Sequence, residues 1–158
     1  MSSSRVVTGD MPAKDMKNAA RNFLKKHGIK NMHLVSSERI GGTQSMRFER
    51  LDGGVRIEAD SVKISVAADT GEVYSFDASA HYAAAQKHAK PESIVTQTQA
   101  ASALPKELSA KPRGMVYAET AGGSERLCYE FECVDEAGER LHVLVDASTG
   151  EQYRISFI

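Results

Sequence analysis

One stretch of this chain occurs twice, and the repeat limits the folds that the sequence can adopt. The first copy spans residues 62–76 and the second spans residues 141–155. At a constant offset of 79 positions, apolar residues of one copy coincide with apolar residues of the other. We therefore expect two similar units, each about half of the chain. The matched pairs are Val62 with Leu141, Ile64 with Val143, Val66 with Val145, Tyr74 with Tyr153 and Phe76 with Ile155.

Each copy has the pattern of a β-hairpin. Val62, Ile64 and Val66 occupy alternate positions, which places them on one face of a pleated strand. Both copies then contain Thr-Gly-Glu, in which Gly71 or Gly150 supplies the positive φ that a tight turn needs. Because a lone hairpin is only marginally stable in water, each copy requires more sheet or a helix to cover its apolar face.

Composition places few further limits on the function. A chain of 158 residues with 41% hydrophobic and 26% charged residues fits one ordinary soluble domain or two small ones. A net charge of −1 gives no electrostatic argument for binding nucleic acid or an anionic membrane. No run approaches the roughly 18 apolar residues of a spanning helix. The opening residues 1–5 precede no apolar segment, so they do not predict a signal peptide.

The first half predicts one helix followed by four strands. After a disordered leader over residues 1–10, residues 12–26 have apolar positions at helical spacing, and Gly28 stands where a C-terminal cap belongs. Strand-like alternation begins at Met32, with glycine turns at 41–42 and 53–54. This order favours an antiparallel sheet covered by one helix. The apolar helical positions are Met16, Ala19, Ala20, Phe23 and Leu24.

The second half predicts the same plan with a shorter helix. Residues 79–91 favour a short connecting helix that ends at Pro91. Thr96 and Gln99 then form a capping box, and Pro105 limits the helix after it to roughly two turns. Strands follow at 114–118, at 126–134 and in the second hairpin. The predicted fold is α+β, with tandem units at 11–78 and 92–158 that each pack one helix on an antiparallel β-sheet.

A short motif of aspartic proteases occurs in the first hairpin, in the segment Asp69-Thr70-Gly71. Those enzymes need two carboxylates that share a proton. The matching position of the second copy is Ser148, so one chain supplies only one carboxylate. A hairpin turn explains the motif better, and only a symmetric dimer could bring two Asp69 side chains together.

No other pattern predicts a reactive centre. The two cysteines, Cys128 and Cys133, lie about 16 Å apart along one strand and on opposite faces, so they cannot form a disulfide with each other. We interpret both as unpaired thiols, with a disulfide to a second chain as the alternative. The residues therefore predict no catalytic, cofactor-binding or metal site and leave the partner-binding residues unknown. The histidines without metal-ligand spacing are His27, His33, His81, His88 and His142.

The predicted order is a helix followed by an antiparallel sheet whose last two strands are joined by Thr-Gly-Glu. This order resembles the PepSY domain. Residues 54–57, 60–67 and 71–78 are similar to the C-terminal part of the YpeB family of spore germination proteins. So is Leu-Cys-Tyr-Glu-Phe at 127–131, which precedes the second hairpin's 146–151. The resemblance covers about residues 12–156.

This resemblance implies a protein-binding role without enzymatic activity. In endospore-forming bacteria the family acts with SleB, a cortex-lytic cell-wall hydrolase, in the breakdown of cortex peptidoglycan, and PepSY domains restrain or chaperone hydrolases. Longer members carry an N-terminal anchor, so membrane contact on the extracytoplasmic side of the spore inner membrane would come through that anchor. We expect this chain to correspond to the C-terminal part of such a protein, or to a stand-alone relative.

Three alternatives to this interpretation stay open at the level of the sequence. The chain could bind a cell-wall fragment in a cleft between the units, inhibit a peptidase of other specificity, or act as a dimeric aspartic protease. For a protein partner, we expect binding at an exposed sheet edge or in a groove, because edge strands recruit extended segments by backbone pairing. We expect no cofactor and no nucleic-acid partner.

Overall fold

The computed structural model describes residues 11–85 and 87–158, so the predicted disordered leader at 1–10 lies outside the described residues. The fold of these residues is α+β and mostly antiparallel, with three helices and eight strands. No described helix is long and apolar enough to cross a membrane. In chain order the elements are α1 (Ala13–Lys26), β1 (Met32–Ile40), β2 (Thr43–Asp52), β3 (Val55–Ala67), β4 (Val73–Asp77), α2 (Ser79–Ala83), α3 (Gln97–Ala101), β5 (Ser109–Glu119), β6 (Glu125–Val134), β7 (Arg140–Asp146) and β8 (Gln152–Phe157).

The described residues form two compact units. The first unit contains the residues up to Leu51 together with Asp60–Ala84. The second contains Asp52–Ala59 and the residues from Ala85 onward. The long strand β3 therefore contributes its first five residues to the second unit and the rest to the first. The sequence predicted four strands after the first helix, and β1 to β4 are present, with β3 the longest at 13 residues.

In the first unit, α1 covers the sheet with the apolar face that the sequence predicts. Met16, Ala20 and Leu24 are buried, and the helix is followed by Gly28 with φ of +72°. The strand β2 pairs with β1 and β3, and β3 pairs antiparallel with β4. The buried core joins residues of α1 to residues of the strands, the largest being Phe48.

In the second unit, α3 packs on β6 and β7, and β5, β6, β7 and β8 form antiparallel pairs in that order. The start of β3 pairs parallel with β5, from Val55 opposite Met115 to Ile57 opposite Tyr117. The sequence predicted antiparallel pairing within each of its two units and did not predict this parallel pair. Turn residues in the sequence predict pairing only between strands that follow one another along the chain, whereas these two segments lie 60 positions apart.

The sheet of the second unit buries side chains on both faces. Phe131 and Cys133 belong to the core on the α3 face, while Cys128 lies on the other face. Both cysteines are buried, and neither forms a disulfide within the described part of the chain. The Cys128 face lies among charged side chains, where Arg56 Nη2 contacts Glu130 Oε2 at 2.6 Å.

Three element boundaries differ from the prediction. Helix α2 ends at Ala83, well before Pro91, and α3 has five residues, little more than one turn. Strand β5 begins at Ser109, five residues earlier than predicted, and its register shifts between Pro112 and Met115. Proline and glycine argue against a strand in sequence reasoning, but the shift accommodates them, with Gly114 at φ of +97°.

Candidate functional site

The two repeated hairpins have the same turn geometry. The N–H of Gly71 donates to the carbonyl of Ala67 at 2.7 Å, and the N–H of Gly150 donates to the carbonyl of Asp146 at 2.8 Å. The two glycines have φ of +76° and +77°, a region that favours glycine. The repeated turn of the sequence is thus confirmed at the level of individual hydrogen bonds.

The same β-bulge follows each turn. The register of β3 with β4 skips Tyr74, and the register of β7 with β8 skips Tyr153. A bulge bends the strand and redirects the extra side chain. The paired tyrosines in the repeat therefore mark equivalent irregular positions.

The segment that enters the main helix of each unit is also fixed in the same way. The N–H of Met11 donates to the carbonyl of Ala68 at 2.8 Å, just before α1. The N–H of Val95 donates to the carbonyl of Ala147 at 2.7 Å, just before the Thr96 cap of α3. Each hairpin thus holds the start of the helix that packs on its sheet.

The predicted protease motif does not assemble a reactive centre among the described residues. Asp69 lies exposed in the first turn, with no hydrogen-bond or ion-pair partner there, and Ser148 takes its place in the second. No group of three or more His, Cys, Asp or Glu side chains within 11–85 and 87–158 could hold a metal ion.

The histidines lie apart and make different contacts. His27 stacks on Phe76 at 5.7 Å between ring centroids, and His33 is exposed on β1. His142 is partly exposed on β7. The other two, His81 and His88, each pair with a carboxylate.

One buried carboxylate cluster was missed by the sequence reasoning. Asp60 is 1% exposed, and its Oδ2 lies 2.8 Å from Nε of Arg50. Its Oδ1 lies 2.6 Å from Nδ1 of His81, on α2. A buried carboxylate needs partners of this kind, so the cluster explains how α2 is attached to β3. The sequence feature that could have indicated this cluster is an aspartate in the middle of a strand.

A second buried carboxylate shapes the second turn. Oδ1 of Asp146 accepts hydrogen bonds from N and Oγ of Ser148 at 2.8 and 2.7 Å, and Oδ2 accepts one from Arg126 at 2.6 Å. Burial alone would raise the pKa of Asp146, but the hydrogen bonds from Ser148 and Arg126 hold the pKa below its usual value. The first hairpin has Ala67 at this position, so the turn itself forms without a carboxylate.

The two units differ in how well the helix covers the final strand. Helix α1 has 14 residues and reaches β4, where the ring of Phe23 meets Phe76 at 4.9 Å. Helix α3 has five residues and packs on β6 and β7. Ile155, the counterpart of Phe76 in the repeat, is consequently 44% exposed.

This difference leaves the β8 edge as the strongest candidate for a binding surface. We define the β8 edge as Gln152–Phe157 with the adjoining Ile158. On it Phe157 is 73% exposed and Ile158 is 59% exposed. Among the described residues, β8 pairs with β7 alone.

The backbone of the β8 edge is also available for pairing. The N–H of Ile158 donates to the carbonyl of Arg140 on the β7 side at 3.1 Å. Along an antiparallel strand, the backbone N–H and C=O groups of successive residues point alternately toward and away from the neighbouring strand. The N–H and C=O groups of Ile155 and Phe157 therefore point away from β7. The β8 edge therefore offers apolar side chains and unpaired backbone groups together.

The other edge strands expose fewer large apolar side chains among the described residues. Strand β1 exposes Ile40 and carries charged side chains at Glu38 and Arg39. Strand β4 exposes Tyr74. Both β4 and β8 are short and bulged, so the two exposed apolar side chains of β8, Ile155 and Phe157, are what distinguish its edge.

Comparisons with known proteins identify relatives of this chain. The family model for "YpeB sporulation, PepSY1 and PepSY2 domains" matches residues 1–92. The sporulation protein YpeB of Halalkalibacterium halodurans is 28% identical over 138 residues, covering 87% of this chain and 31% of the relative. The sporulation protein YpeB of Bacillus subtilis is 24% identical over 143 residues, covering 89% and 32%.

A solved structure shares the fold. The Bacillus megaterium YpeB C-terminal domain superposes with a TM-score of 0.84 at 23% identity, covering 95% of this chain and 66% of that one. The chain spans about a third of the length of the curated relatives that it matches. Because the family model covers more than half of the sequence, the chain belongs to the YpeB family of sporulation proteins.

Proposed function

We propose that this chain is a non-enzymatic protein-binding module whose partner is a spore cortex-lytic cell-wall hydrolase of the SleB type. Membership of the YpeB family supports a module related to sporulation and germination. The choice of partner follows the family resemblance of the sequence. The module would stabilise, localise or restrain the enzyme.

The observation that carries this proposal is the open β8 edge. An extended segment of a partner can add to such an edge as a further strand, with main-chain hydrogen bonds giving affinity and side-chain contacts giving specificity. Ile155 and Phe157 would supply the apolar contacts, because they lie two residues apart on the same face of β8. This arrangement needs no catalytic residue and no cofactor.

The proposed architecture is two tandem PepSY-like units, at 11–78 and 92–158, joined by residues 79–91. Its support is the repeated turn, the repeated bulge and the repeated attachment of the helix start by Met11 and Val95. In this proposal the first unit is the more completely covered one, and the second unit presents the binding edge.

The proposed location is the extracytoplasmic side of the spore inner membrane. This chain would be held there through the membrane anchor of a longer family member. Binding of a cell-wall fragment and inhibition of a different peptidase stay alternative predictions, for which the β8 edge gives no specific support.

The test is calorimetric titration of the cortex-lytic enzyme with the purified chain and with Phe157→Glu. A charge on the β8 edge must be buried when the partner strand adds, so we expect affinity to fall by about tenfold or more. The matched control is Tyr82→Glu, because Tyr82 is an exposed aromatic of similar exposure, 70%, on helix α2.

Two results would oppose the proposal. The first is equal affinity of the unsubstituted chain and Phe157→Glu for the enzyme. The second is a complete lack of association of the unsubstituted chain, combined with normal enzyme levels in spores whose YpeB lacks this region.

A further inference from the structure

The apolar side chains of the β8 edge form the last row of the core on the α3 face. Ile155 lies opposite Val143 and Phe157 lies opposite Leu141, and both of these β7 residues are buried in that core. Because residues directly opposite each other in an antiparallel pair point to the same face, Ile155 and Phe157 continue the core toward solvent. Although α3 packs on β6 and β7, these two side chains stay 44% and 73% exposed.

The sequence of β8 fits this row when the strand meets a second copy of itself. Two identical strands that pair antiparallel are related by a twofold axis, and the residue on the axis decides which residues lie opposite each other. With Ser156 on the axis, Ile155 of each copy lies opposite Phe157 of the other copy. Both exposed apolar side chains of both copies are then paired on one face of the sheet.

The two neighbouring registers pair these side chains less completely. An axis at Ile155 would place Phe157 opposite Tyr153, where the bulge after the turn interrupts the ladder. An axis at Phe157 would leave Ile155 without an opposite residue among the described ones. The register with Ser156 on the axis is therefore the one that the sequence of β8 favours.

The backbone and the charges of β8 agree with this register. The N–H and C=O groups of Ile155 and Phe157 point away from β7, so each pair of Ile155 with Phe157 forms two hydrogen bonds between the copies. The cation of the strand, Arg154, lies opposite Ile158, so no like charges face each other. Arg154 is also held within its own copy by Glu58, with 2.7 Å between Nη2 and Oε2.

We propose that two copies of this chain pair through β8, and that this pairing masks the β8 edge until the enzyme binds. The masking role rests on the function proposed above, whereas the pairing itself does not. Each copy contributes one strand of six residues, far fewer than the roughly 20–30 residues a side of a standard interface. We therefore expect a reversible dimer with a Kd of about 100 µM, which dissociates at low micromolar concentrations.

A disulfide across the axis tests the pairing in the whole chain without the enzyme. The two residues on the axis form a pair without hydrogen bonds between them, with Cα atoms about 4.5 Å apart, which a disulfide spans. The test variant is Ser156→Cys, and the control is Ser75→Cys, an exposed position on the short edge strand β4. At about 50 µM in a glutathione redox buffer, Ser156→Cys should form linked dimers at least about tenfold faster. The buried Cys128 and Cys133 should not contribute.

A charge at the contact should abolish the pairing. Phe157→Glu combined with Ser156→Cys should slow crosslinking to the rate of Ser75→Cys, because it places a carboxylate opposite Ile155. In sedimentation equilibrium, the unsubstituted chain should be mostly dimeric at about 1 mM and Phe157→Glu should be monomeric. The pairing is overturned if Ser156→Cys and Ser75→Cys crosslink equally fast, or if the unsubstituted chain is monomeric at about 1 mM.

Titration of the cortex-lytic enzyme with reduced and oxidised Ser156→Cys tests the masking. The linked dimer hides both β8 edges, so its affinity for the enzyme should be at least about tenfold lower than that of the reduced chain. Equal affinity of the two forms would overturn the masking. Failure of the reduced chain to bind would refute the function proposed above and with it the masking, while the crosslinking rates decide the pairing by themselves.

Discussion

Replacing Asp146 by alanine tests whether the second turn depends on its buried carboxylate. The variant removes Oδ1, which accepts from the Ser148 hydroxyl and from the backbone N–H groups of Ser148 and Thr149, and Oδ2, which accepts from Arg126. It should leave the turn backbone intact, because the first hairpin makes the same turn with Ala67. The expected effect is therefore a loss of stability without a change of fold.

The magnitude follows from the exposure of the groups involved. Ser148 and Thr149 are exposed, so their donors turn to water, and the loss resembles that of a helix N-cap, about 1–2 kcal/mol. The Arg126 side chain is 51% exposed, so solvent screening makes the ion pair a minor contribution. We expect Asp146→Ala to lower the free energy of unfolding by about 1–2 kcal/mol at pH 7.

The difference in the free energy of unfolding between the unsubstituted chain and Asp146→Ala should change with pH in one direction only. The folded-state pKa of Asp146 is lowered, so its stabilisation is complete above the ordinary aspartate pKa of about 3.9. It is lost as pH falls through the lower folded-state pKa, because the carboxyl must be protonated there. The stability gap should therefore be constant from pH 7 to about pH 5 and shrink in acid.

The assay is urea unfolding followed by circular dichroism at several pH values. The control is Asp69→Ala, which removes the exposed aspartate of the first turn and should change stability by less than about 0.5 kcal/mol. The reasoning is refuted if Asp146→Ala matches the unsubstituted chain at pH 7, or if the gap between the two persists unchanged at low pH.

Three further predictions test local features. Thr96→Ala removes the Oγ1 that accepts from the N–H of Gln99, keeps the backbone N–H that donates to the Gln99 side chain, and should cost about 1 kcal/mol in urea unfolding; an unchanged midpoint would contradict this. Phe76→Ala should cost about 2 kcal/mol because α1 covers the ring, whereas Ile155→Ala should cost less than about 1 kcal/mol; equal losses would contradict the difference in helix coverage. Burial raises the pKa of Cys128 to about 12 and also raises the pKa of Cys133, so neither thiol should react with a disulfide reagent at about pH 8 until the chain unfolds, and rapid reaction of the native protein would contradict their burial.

Features set by neighbouring residues could be predicted from the sequence. The alternation of apolar residues and the glycine at each turn identified both hairpins and matched Tyr74 with Tyr153, and the structure then shows a bulge at both of these positions. The capping box of Thr96 and Gln99 is confirmed by both of its hydrogen bonds. These signals depend on contacts within a few residues, which is why one sequence is enough to find them.

Features set by distant residues could not be predicted. The parallel pair of Val55 with Met115 has no local signature, and the pairing of His88 with Glu125 joins residues 37 positions apart. The β8 edge is an intermediate case. The sequence gives α3 as the shorter helix, but only the packed structure shows that this leaves Ile155 exposed while Phe76 is covered.

The central claim is that the β8 edge receives a partner strand, and amide hydrogen exchange tests this most directly. In the free chain the outward-pointing amides of Ile155 and Phe157 should exchange rapidly, while the amide of Ser156, which pairs toward β7, is already protected. On binding the cortex-lytic enzyme, we expect exchange at Ile155 and Phe157 to slow by about tenfold or more. Unchanged exchange at both amides in a saturated complex would contradict the account.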